Sequence, residues 1–170
     1  MKTLLTALLA LLSLPAFSGE RGNGGDVIIC LNPNGTIKTA ELYDHYEGRA
    51  RDGRTLNLGG PDLSVEEKIE IVLKRIERLD LYRADLYRGW AKAFMSEATF
   101  LRGIDLIDIP DTGDGYIPAG CMLKQLVVQK ESDILRPGKR YTVNEDYWDV
   151  LSNDEKAGTI LHEVILREMI

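Results

Sequence analysis

The chain is poor in the residues that most often announce chemistry. Its 170 residues include two cysteines, Cys30 and Cys121, and two histidines, His45 and His162. Neither cysteine has a neighbour at the C-x-x-C spacing of a zinc site. With no G-x-S-x-G elbow, nothing points to a serine nucleophile. Basic residues are also scarce: 21 Lys and Arg face 27 Asp and Glu, for a net charge of −6. That excess opposes nonspecific attraction to phosphate backbones, so no nucleic-acid partner is expected. Long apolar runs are missing too. The longest, Leu4 to Leu14, is broken by Thr6 and Ser13 and falls short of the roughly 20 residues of a membrane span, so none is expected.

That short run fits another pattern. Lys2 supplies a positive start, Leu4 to Leu14 an apolar centre, and Pro15-Ala16-Phe17-Ser18 places small residues at −3 and −1 before Gly19. Residues 1–18 are therefore expected to be a cleaved signal peptide, residues 19–25 a flexible Gly-rich leader, and residues 26–170 one domain. Removing Lys2 makes the mature chain one charge more negative. The address is periplasmic or secreted, where an even cysteine count favours pairing. A Cys30–Cys121 disulfide is expected, with two separate buried thiols as the alternative. Cys30 follows Val27-Ile28-Ile29 and lies beyond the apolar centre, which argues against a lipoprotein anchor.

Asp26–Leu31 is a β-branched run, and Asn32-Pro33-Asn34-Gly35 supplies turn chemistry before Thr36-Ile37, the pattern of a hairpin. Residues 39–50 fit either a continued strand or a short helix, and the spacing of Ala40, Tyr43 and Glu47 favours the helix. Ser64 and Glu67 form an S-x-x-E capping box. Behind it Ile69, Val72, Leu73, Ile76 and Leu79 make one stripe, with Lys68, Glu70, Lys74 and Glu77 opposite. Asp80 caps a second helix with Leu86, Trp90, Phe94, Ala98 and Leu101 on one face, giving a helical hairpin with an aromatic core stripe. Ile104, Leu106 and Ile109 alternate as a strand, followed by a loop at residues 111–115 whose aspartates lack the calcium-loop spacing. CMLKQLVVQK, from Cys121, reads as one central strand. After Pro137-Gly138 come a short strand at Tyr141–Val143, a segment capped by Asn144, and a last helix with a second capping box, Ser152 and Glu155. Ala157, Ile160, Leu161 and Val164 form its buried stripe. The expected fold class is α+β: a small, mostly antiparallel sheet packed against the helical hairpin and a C-terminal helix.

The last helix carries the single candidate site, Leu161-His162-Glu163, half of the zinc motif H-E-x-x-H. Leu166 occupies the position of the second histidine, and Glu168, roughly 240° around the helix from His162, cannot replace it. His45, in Asp44-His45-Tyr46-Glu47, would have to converge with His162 and Glu163 for a zinc-assisted hydrolase. The simpler reading needs no cofactor: an ordinary helix pair, with Glu163 reaching Arg167 one turn on. Asp105, Asp108, Asp111 and Asp114 offer carboxylates for glycosidase chemistry only if the fold sets two at the right distance. The two functions carried forward are an exported binding or structural module stabilised by a disulfide, and a metal-assisted hydrolase.

Gly24-Gly25-Asp26-Val27-Ile28-Ile29-Cys30, the segment Glu41 to Glu47, Pro118-Ala119-Gly120-Cys121 leading to Gln125 and Gln129, and Ile160-Leu161-His162-Glu163 together resemble uncharacterised exported proteins of Bdellovibrio-like predatory bacteria. The resemblance spans most of the mature chain. It implies export and a chain that runs on past the His-Glu helix, and it carries no activity onto these residues.

Overall fold

The structure, a computed structural model, describes residues 21–22, 25–107, 116–130 and 138–169. The expected signal peptide, most of the expected leader and the loop bearing Asp108, Asp111 and Asp114 lie outside the described residues. The fold is α+β, with two small sheets where one was expected. The first has the order β3-β2-β5, from Ile37–Leu42, Asp26–Leu31 and Cys121–Gln125. The second has the order β1-β6-β7-β4, from Arg21–Gly22, Val127–Lys130, Tyr141–Asn144 and Ala98–Leu101. All pairings are antiparallel except β4 with β7.

The β2–β3 hairpin forms where the turn residues place it. Asn32 donates its backbone N–H to Thr36 and accepts from Gly35, whose φ of 82° suits glycine. The Asn34 side chain accepts from the Thr36 N–H and hydroxyl. Residues 39–50 take both readings in turn: β3 runs to Leu42, and α1 (Tyr43–Asp52) starts at the next residue.

The run CMLKQLVVQK is two strands. It breaks at Leu126 because Gly25 O accepts the N–H groups of both Leu126 (3.1 Å) and Val127 (3.2 Å). Residues 121–125 pair with β2 in the first sheet and residues 127–130 with β7 in the second. The same pair of chain segments thus passes from one sheet to the other at Gly25 and Leu126. At the far end of β2–β5, Cys30 lies opposite Cys121, and the two are joined by a disulfide.

The helical hairpin is α2 (Val65–Glu77) and α3 (Leu81–Glu97). It begins at the Ser64–Glu67 box, complete in both directions, and turns at Asp80, whose carboxylate accepts from Arg83 N. Two residues of the expected α2 pattern exchange sides. Leu79 falls past the helix end and is 91% exposed, whereas Lys68 is buried, its ammonium held by Gly60 O and Asp154 Oδ1, both at 2.7 Å. Ala98 to Leu101 leave the helical face assigned to them and form β4, because pairing with β7 satisfies their backbone groups. The strand expected from Ile104 does not form over its described residues: 104–107 are irregular, Asn144 Nδ2 donates to Ile104 O, and Ile109 lies outside the described residues. Phe94 packs on Tyr141 and Trp148, so the aromatic stripe of α3 is core as expected. Beyond the short α4 (Glu145–Val150), α5 (Asn153–Leu166) packs on α2 and α3. No helix among the described residues is long and apolar enough to cross a membrane.

Candidate functional site

Helix α5 separates the two members of the His-Glu pair, since successive helical residues point about 100° apart. Glu163 turns inward and is fully buried. Its Oε1 accepts from Gly25 N at 2.8 Å, at the bend where the strands leave one sheet for the other. Its Oε2 is buried without a hydrogen-bond partner among the described residues. Burial pushes the carboxyl up to about 7, against the opposing hydrogen bond from Gly25. The expected pairing with Arg167 does not occur: Arg167 reaches Glu97 at 2.7 Å and lies over the Trp90 ring. Glu163 fixes the corner of the fold.

His162 points the other way. Its Nδ1 lies 2.6 Å from Asp44 Oδ2 at the start of α1. The adjacent residue of α1, His45, returns the arrangement, with its Nδ1 2.9 Å from Glu155 Oε2. Thus α1 contributes an acid and a histidine, and α5 contributes an acid and a histidine two turns apart, paired reciprocally. The hydrogen bond from His162 holds Asp44 below the usual carboxylate range. Glu155 is diverted from the second capping box. Ser152 accepts from Glu155 N at 3.3 Å, but the carboxylate turns instead to Leu42 N at 2.7 Å and to His45. Gly158 makes the approach possible: a Cβ there would lie 2.4 Å from His45 Nε2.

The fold therefore brings His45 and His162 onto one site, as partners of carboxylates, but not Glu163, which the hydrolase reading also required. Among the described residues no group of three or more His, Cys, Asp or Glu side chains is placed to hold a metal ion. Asp105, the one described member of the aspartate series, accepts from Lys124 and Tyr147 on the opposite side of the sequence loop.

Both histidines line a cleft of about 340 Å³ whose other walls are Leu42, Leu58, Val72, Leu161 and Leu166, with Leu56, Ile165 and Met169 at an exposed rim. Behind His45 and Leu58 lies a polar cavity of about 160 Å³ that also reaches Arg49, Arg54 and Thr55. The connection between α1 and α2, residues 53–64, runs past both. The connection is tethered by Arg75 to Asn57 O and by Lys68 to Gly60 O, each through a side-chain hydrogen bond. Three of these participants carried no functional motif: Glu155 stood only as part of a capping box, Gly158 as a helical glycine, and Arg54 as a loop residue. The two-turn spacing of Glu155 and His162 was the available signal.

These features define a disulfide-linked α+β module with an apolar cleft clasped by two histidine–carboxylate pairs. Comparison with known proteins gives no match to a family model, a curated protein or a solved structure.

Proposed function

We propose that the chain is an exported binding module whose ligand enters the cleft between α1 and α5. The observation that carries the reading is the cleft itself, a half-open apolar groove with a few convergent polar groups, within the roughly 300–1,000 Å³ range of small-molecule sites. Leu56, Ile165 and Met169 leave apolar surface at its mouth, 61%, 44% and 78% exposed. The signal-like N-terminus, the disulfide and the resemblance to exported proteins support the address. The reciprocal pairs hold α1 against α5 and so keep the cleft open in one shape, with the imidazoles at its polar wall.

The test is titration with a neutral apolar fluorophore, N-phenylnaphthylamine. Saturable binding at one site is expected, and Ile165→Trp, which places an indole across the mouth from a partly exposed position, should abolish it. Absence of saturable binding, or binding indifferent to Ile165→Trp in a folded variant, would refute the reading.

A further inference from the structure

The two cavities adjoin and differ in kind. His45, Leu56 and Leu58 belong to the lining of both. On one side the walls are aliphatic; on the other they are Glu41, Arg49, Arg54, Thr55, Asp154 and Glu155. A ligand filling both would have an apolar body and a polar end, with its change of character at His45.

The charges of the polar cavity are mostly satisfied within the protein. Arg49 is held by both oxygens of Glu41, at 2.7 and 2.8 Å. Asp154 is paired with the buried Lys68, and Glu155 with Leu42 N and His45. Arg54 differs. Its nearest carboxylate contact, Asp52, is 3.9 Å from Nε, beyond hydrogen-bonding distance, and its side chain is 82% exposed. Thr55, next along the chain, lines the same cavity. A guanidinium with donors to offer, beside a hydroxyl and an imidazole, recognises an anionic oxygen group.

Resting on the reading that the cleft binds a ligand, we propose that this ligand is a single-chain amphiphile with a carboxylate head. Its chain lies among Leu42, Val72, Leu161 and Leu166, and its head meets Arg54 and Thr55 past His45. The cleft supplies affinity through apolar contact, and Arg54 supplies the preference for a negative head. Arg54 stands on the connection between α1 and α2, outside the buried core, so its replacement leaves the fold intact.

Calorimetric titrations of the full chain with decanoate, decan-1-ol and decylammonium separate the two contributions. Decanoate should bind about fivefold more tightly than decan-1-ol at low salt, the upper range for an exposed ion pair, with decylammonium weakest. High salt should shrink the difference. Arg54→Gln should make decanoate and decan-1-ol equal without weakening decan-1-ol. Equal binding of all three by the native chain, or a carboxylate preference that survives Arg54→Gln, would overturn the head-group assignment while leaving the cleft as a binding site. Failure of all three to bind would overturn both.

Discussion

Glu163→Gln should make the protein more stable at alkaline pH and leave it nearly unchanged at acid pH. The carboxyl is fully buried, accepts one hydrogen bond from Gly25 N, and has no partner for Oε2 among the described residues. Burial raises its pKa from 4.5 to about 7. For an acid whose folded pKa exceeds its unfolded one, the folded state holds the proton longer. The neutral carboxyl's contribution is complete below the unfolded value and is lost as pH rises through about 7. At 1.36 kcal/mol per unit, the loss above that range is about 3 kcal/mol. Glutamine keeps a carbonyl oxygen for Gly25 N–H and never ionises. Urea unfolding followed by tryptophan fluorescence should therefore give similar midpoints for native and variant at about pH 4, and a variant more stable by about 3 kcal/mol at about pH 9. Parallel pH profiles, or a variant less stable than native at alkaline pH, would show that Glu163 ionises in the fold as readily as in the unfolded chain and that the account of its burial is wrong.

Gly158→Ala places a methyl group against the His45 ring. The overpacking should cost about 1–3 kcal/mol, exceeding the helix-propensity gain of about 1 kcal/mol, and NMR should show the His45 imidazole signals displaced. An unchanged Tm and unchanged imidazole signals would mean that His45 does not rest on the helix. Non-reducing mass spectrometry should recover a peptide cross-linked between Cys30 and Cys121. Replacing both cysteines with alanine should lower stability by up to about 4.5 kcal/mol, the chain-entropy value for a loop of this length.

The parts of the fold legible in the sequence were those decided within a few residues. The Asn32–Gly35 turn, the Ser64–Glu67 box and the Asp80 cap are each completed by atoms three or four positions away. The misread parts were decided from afar. Nothing in Gln125-Leu126-Val127 reveals that Gly25 O will take two of its N–H groups, and nothing in Ala98–Leu101 reveals a parallel partner some forty residues on. Lys68 looked like a solvent residue because its acceptors, Gly60 O and Asp154, arrive from a loop and from another helix. The site was half visible. His162 and Glu163 stood out as a pair, but adjacent helical residues face different surroundings, and only the docking of α1 showed which one meets the cleft. His45 joined His162 through α1 and α5, by contacts separated by more than 100 residues.

The peptide at Gly25 sits where two sheets share their strands, and this shapes how the molecule comes apart. The chain segments that give the first sheet β2 and β5 give the second β1 and β6, so neither sheet is a self-sufficient piece. Opening the corner deprives both of pairing at once. Amide exchange at Leu126 and Val127 should then track global unfolding, and a cut through either sheet should leave no fragment able to hold the other.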